Sequence, residues 1–232
     1  MNTLVDTWNR LTAWFATTLE TLVDNADLFR TGFWTTLQLL LLSGVLSLLL
    51  GTLLAAMRVS PVPALRRAGG GYVTLLRNTP LTVLFFLIVF GFPPLGIDIS
   101  FFARAVVALS AYTAAFVCEA VRSGINTVHV GQAEAARAIG MRFSQTLRFV
   151  ILPQAVRSVL PPLASVVIAL AKNTTVAAGF SVLEAGAVRG YLSERGYPVV
   201  AGLFWVTIGF LLIVFPLSMA QRRLESRWAV AR

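Results

Sequence analysis

FWTTLQLLLLSGVLSLLLGTLLAAM, residues 33–57, contains no acidic or basic side chain. A bilayer core about 30 Å thick is crossed by about 20 apolar residues, because a helix rises about 1.5 Å per residue. The run is long enough to span. Residues 78–97 and 196–221 are equally free of charge, and two further runs are interrupted: 101–120 by Arg104 and Glu119, and 158–183 by Lys172. Continuous runs of this length predict an all-α membrane protein with five transmembrane helices. A β-barrel would instead need short alternating segments.

Composition agrees with lipid as the solvent. Only 12% of the residues are charged and 57% are hydrophobic, with a mean hydropathy of +0.78, whereas a soluble domain carries roughly 25% charged residues. The net charge of +9 is a matter of topology. With five spans, the loops around Arg58, Arg66, Arg67 and Arg77, the long loop from Arg122 to Arg157, and the tail with Arg222, Arg223, Arg227 and Arg232 share one side. Thirteen arginines lie there, against five on the other side, so the first side is cytoplasmic by the positive-inside rule. The N-terminus is then outside and the C-terminus inside. Arginines dispersed over loops fit an anionic leaflet, and nucleic-acid binding is not implied.

The chain divides into an extracytoplasmic segment (1–32), a membrane domain (33–221) and a cytoplasmic tail (222–232). Residues 1–32 carry Asp6, Arg10, Glu20, Asp24, Asp27 and Arg30, so they hold no signal-type apolar core. Their apolar residues, Leu4, Val5, Trp8, Leu11, Phe15, Leu19 and Leu22, recur at helical spacing. They predict either a helix lying on the membrane surface or a solvated tail. Cys118 is the single cysteine and has no internal disulfide partner.

One connection is too long for a turn. Between about 126 and 153, residues 132–139 favour helix, Gly140 interrupts, and residues 142–151 form a second helix expected to end before Pro153. Within it stand Glu134, Ala135, Ala136, then Gly140 four residues on, then Val150, Leu152 and Pro153. This pattern resembles the cytoplasmic E-A-A-x3-G-x9-I-x-L-P signature of binding-protein-dependent ABC importer permeases, with valine for isoleucine at 150. YVTLLRNTPL (72–81), YTAAFVCEAVRSGI (112–125), ILPQAVRSVLPPL (151–163) and AKNTTV (171–176) resemble the polar amino-acid branch of that family. The branch usually has glycine at the positions of Asn78 and Ser123, and aspartate at that of Asn173.

The resemblance implies a type I importer permease of the bacterial inner membrane, which makes half of a transport path. A second permease chain, identical or related, completes it. An extracytoplasmic amino-acid binding protein delivers substrate, with glutamate the first expectation, and an ABC ATPase dimer binds ATP and magnesium. Glu134, Ala135, Ala136, Gly140, Leu152 and Pro153 would then couple the spans to the ATPase. The chain has no G-x-x-x-x-G-K-[ST] loop, so nucleotide would be held by that partner.

Candidate residues of the path follow from cost. Lys172, the only lysine, falls near the middle of its predicted span, where a charge costs a few kcal/mol unless it is paired or hydrated. It lines a path with Thr174 and Thr175, pairs with Glu119, or sits at the headgroups. Arg77 and Thr79 open the second predicted span as a basic anchor followed by proline, or touch substrate. His129 stands alone, and no hydrolytic constellation is present. A secondary transporter coupled to an ion gradient is the alternative reading, because Lys172 and Glu119 are embedded. Five spans without an internal repeat count against it.

Overall fold

The structure is a computed structural model that describes the backbone of residues 2–228 and the side chains of residues 5–226. Helix α1 (Asn2–Asp24) is followed after Asn25 by α2 (Ala26–Val59), which is 34 residues long. The buried face of α2 is rich in small residues, Gly32, Thr36, Ser43, Ser47, Gly51 and Ala55, interleaved with Leu28, Phe29, Leu39 and Leu54. Leu41, Val45, Leu49 and Leu53 point outward and are exposed. Small residues against neighbouring helices and bulky aliphatics outside are the arrangement that lipid favours, since no hydrophobic gain comes from burying leucine.

Close approach is required at Gly51, where an added Cβ would lie 2.5 Å from Val117 Cβ and 2.7 Å from the Ala114 carbonyl oxygen. Helix α5 (Phe101–Asn126) therefore lies flush on α2. Gly51→Val is expected to cost about 3 kcal/mol by overpacking, read as a lowered thermal midpoint in detergent. Gly70→Val is the control. There an added Cβ meets nothing within 4 Å, and the expected change is below about 0.5 kcal/mol.

The second predicted span is corrected. Helix α3 (Pro63–Asn78) precedes α4 (Leu81–Gly91), and the two are bent by 104°. The 11 residues of α4 cover only about 16 Å, and a 3-10 turn over Pro93–Leu95 follows. Thr79 is extended, with φ −96° and ψ 129°, as a residue before proline is driven to be. Arg77-Asn78-Thr79-Pro80 thus closes α3 instead of opening a span. Residues 63–78, expected as loop, are helical. Four helical stretches among the described residues are long and apolar enough to cross a membrane, and the bent pair counted as one span makes five.

Beyond α5 come α6 (Val130–Ala138), one short turn α7 (Phe143–Gln145) and a π-helical turn over Thr146–Ile151. That turn runs without a break into α8 (Leu152–Asn173), so the second loop helix does not end before Pro153. Pro153 falls in the first turn of α8, directly after the π-helical turn. After α8 the chain tightens into a 3-10 helix, Thr174–Phe180, then forms α9 (Ala185–Glu194) and α10 (Val199–Trp228). Helix α10 carries through Arg222 and Arg223. Residues 229–232 of the expected tail, and the side chain of Arg227, lie outside the described residues.

Three apolar clusters hold the bundle. The central one joins α2, α4, α5, α8 and the 3-10 helix through Leu39, Phe85, Leu109, Leu170 and Phe180. At one end Leu54, Val73, Ala115 and Cys118 pack together, and at the other Phe29, Val188, Leu192 and Val206 do so. Helix α6 follows the end of α5 at the Leu54 side, and α1 and α9 lie at the Phe29 side.

Candidate functional site

Helix α6 stands out from the bundle. Its first turn is capped by His129, whose Nδ1 accepts the Gly131 N–H at 3.1 Å. At its far end Gly140 has φ +84°, and its N–H donates to the Arg137 carbonyl at 2.9 Å while the Met141 N–H donates to that of Ala136 at 3.1 Å. This pair of bonds is a Schellman closure, which needs a left-handed residue at Gly140. Ala136 is buried, whereas Glu134 and Ala135 are exposed. Glu134 makes no ion pair among the described residues. Ile139 and Phe143 are each 80% exposed, and Ala133, Arg137, Phe143, Thr146, Leu147 and Ile151 enclose a groove of 270 Å³. Leu152 and Pro153 are exposed at the root of α8. The result is a projecting knob with a charged tip and an apolar rim.

A cleft of 360 Å³ opens between α5 and α8, lined by Tyr112, Thr113, Phe116, Ser165, Val166, Ala169, Leu170 and Asn173. That volume falls among those of small-molecule sites. Thr113 is 3% exposed, and its hydroxyl has no hydrogen-bond partner among the described residues, an arrangement that costs energy unless water or a bound molecule satisfies it. Arg77 stacks over Phe116, 5.7 Å from the ring centroid. One turn from Phe116, Glu119 is held by Arg58, by Arg122 at 2.9 Å and by Arg77 at 3.8 Å. A single carboxylate thus gathers three arginines from α2, α3 and α5 beside the cleft.

The profile of binding-protein-dependent transport system inner membrane components matches residues 47–230. The chain belongs to that family. This inner membrane component is 40% identical over 213 residues to the glutamate transport system permease protein GluC of Corynebacterium efficiens, covering 86% of this chain and 93% of the relative. It is 35% identical over 206 residues to the probable glutamine ABC transporter permease protein GlnM of Bacillus subtilis, covering 89% and 95%. Among solved structures, a crystal structure of an amino acid ABC transporter with histidines superposes with a TM-score of 0.83 at 28% identity, over 89% of this chain and 96% of the other.

The other expected path residues of this inner membrane component flank the cleft or close the end of a helix. Lys172 is in the last turn of α8, within the candidate span that runs from Phe143 to Glu194, and is exposed. The Thr174 hydroxyl donates to the Ala171 carbonyl at 2.8 Å and that of Thr175 to Lys172 at 2.7 Å. Such back-bonding tightens the helix end into the 3-10 segment. Thr174 is fully buried. Glu119 pairs with arginines and not with Lys172. The Thr79 hydroxyl donates to the Leu75 carbonyl at 2.8 Å.

Sequence reasoning missed Thr113, Tyr112, Phe116 and Ser165, which bear no charge and look like ordinary span residues. Glu184 is fully buried. It accepts from the Thr36 hydroxyl at 3.2 Å and from the Ala187 N–H at 3.1 Å, capping α9 against α2.

Proposed function

We propose that this chain is the permease subunit of an ATP-driven importer that carries a polar amino acid, glutamate first, into the cytoplasm. The observation that carries the reading is the projecting α6, with exposed Glu134 and Ala135 at the arginine-rich end of the bundle, in a chain without a phosphate-binding loop of its own. A separate ABC ATPase dimer, holding ATP and magnesium, docks on α6. Buried Ala136, left-handed Gly140, Leu152 and Pro153 make the knob one body with α8, so displacement at the ATPase reaches the wall of the cleft. The relatives named for glutamate and glutamine support the substrate class. The excess of arginine at the α6 end supports a cytoplasmic α6 and C-terminus and an outside N-terminus.

The cleft between α5 and α8 is open on one side, and a second permease chain there would complete the path. The binding protein would deliver substrate at the α9 end. Arg77 and Glu119 stand at the inner mouth of the cleft and Lys172 at its outer end, next to the lining residue Asn173. Uptake into proteoliposomes holding the permease, the ATPase and the binding protein is expected to require internal ATP and to survive an uncoupler. Uptake driven by an ion gradient without the ATPase would instead establish a secondary transporter.

Thr113→Val tests the cleft, since it removes an unpartnered hydroxyl at nearly constant shape. Thermal stability is expected to stay level or rise, while KM for uptake rises about tenfold, the worth of one hydrogen bond. Unchanged KM would remove Thr113 from the path.

A further inference from the structure

Helix α1 is inside out by the standards of a water-soluble helix. The residues it buries are Thr18 and Thr21, 1% and 0% exposed, whereas Trp8 is 67%, Phe15 57%, Leu19 55% and Val23 65% exposed. The threonines satisfy their own hydroxyls within the helix, Thr18 donating to the Trp14 carbonyl at 2.7 Å and Thr21 to that of Thr17 at 2.8 Å. A helix whose outward face met water would bury its large side chains and expose its threonines.

The faces sort cleanly at 3.6 residues per turn. Trp14, Thr18 and Thr21 form one stripe against α10, where Trp14 meets the Phe204 ring at 5.4 Å and the Trp205 Nε1 donates to the Thr18 carbonyl at 2.7 Å. Trp8, Leu11, Phe15 and Leu19 form a second stripe beside it. Asp6, Arg10, Glu20 and Asp24 lie on the remaining side, spread over the whole length of the helix. Charges along the full length exclude a spanning orientation. Charges confined to one side fit a helix lying in the plane of the interface.

The end of α1 is pinned where it meets the bundle. Arg195 Nη1 donates to Asn25 Oδ1 at 2.7 Å, and the Tyr197 hydroxyl donates to Asp24 Oδ2 at 3.2 Å. The exposed apolar stripe therefore adjoins the outward rows of α2 and α10, where Trp34 is 62%, Leu203 43% and Val200 61% exposed. Those rows belong to membrane-spanning helices, so the same medium covers both.

We infer that α1 is an interfacial helix whose Trp8–Leu11–Phe15–Leu19 face is covered by lipid, at the headgroup and upper acyl level of the leaflet on the α9 side. It is tethered as an anchor to the corner between α9 and α10. This assignment stands apart from the transport reading and does not depend on it.

The full chain in phosphatidylcholine nanodiscs tests it, with Cys118→Ala as background and a bimane probe at Phe15→Cys, at Trp8→Cys as a second position on the same face, and at Glu20→Cys opposite. The Phe15 and Trp8 probes are expected to be blue-shifted and quenched by chain-brominated lipid about threefold more than the Glu20 probe, with iodide giving the reverse order. Iodide quenching of the Phe15 and Trp8 probes equal to that at Glu20 would overturn the inference in favour of a solvated helix. Absence of lipid quenching, with protection from iodide only on addition of the binding protein or at high permease density, would overturn it in favour of a protein partner.

Discussion

Gly140→Val is expected to reduce uptake at least about tenfold while the chain still inserts and folds. An added Cβ at Gly140 meets nothing within 4 Å, so no clash arises. The cost is conformational, because Gly140 has φ +84° and a left-handed L-residue costs about 1–2 kcal/mol, more when β-branched. Helix α6 has only 9 residues, too few to be stable without its caps and packing. Relief of the strain therefore breaks the Schellman closure and re-aims Glu134 and Ala135. ATPase activity of the assembled complex should persist without transport. Gly140→Asn discriminates strain from size, since asparagine tolerates the left-handed region, and it should retain most of the uptake. If Gly140→Val transports normally, the rigid-knob reading fails.

Glu119→Gln is expected to destabilise the inner end of the bundle. The carboxylate side chain is 20% exposed and faces Arg58, Arg122 and Arg77, whose side chains are 23%, 36% and 47% exposed. Removing its charge at constant volume leaves three guanidinium groups close together with no counter-charge. Fully buried, such a loss costs 3–5 kcal/mol; discounted for solvent screening, about 2 kcal/mol is expected. The thermal midpoint should fall and recover in part at high salt, which screens the arginines from one another. Arg77→Gln should cost less than about 1 kcal/mol, as the most exposed and most distant partner. A Glu119→Gln midpoint equal to the unmodified protein would show that the cluster contributes no stability.

The spans were legible where sequence and solvent agree without help from tertiary structure. Residues 33–57 declare themselves, and the spacing from Glu134 to Pro153 marks the projecting loop. Local signals that serve two purposes were misread. Pro80 is equally suited to opening a helix and to closing one, and the glycines 69–71 within an arginine-bearing stretch look like loop, so α3 was hidden. Hydropathy runs on through 183, while α8 stops just after Lys172, where the Thr174 and Thr175 hydroxyls turn back on the Ala171 and Lys172 carbonyls. Glu184 and Thr36 lie 148 residues apart, and no local pattern announces that pair. Thr113 becomes notable only once its hydroxyl is known to be buried and unpartnered.

The central claim is that the segment around Glu134 faces the cytoplasm and receives a separate ATPase. Ala135→Cys in a Cys118→Ala background, treated with a membrane-impermeant maleimide, measures this directly. The account predicts labelling in inside-out vesicles, none in intact cells, and protection when the ATPase subunit is bound. Labelling from outside intact cells, or labelling that the ATPase leaves unchanged, would contradict it.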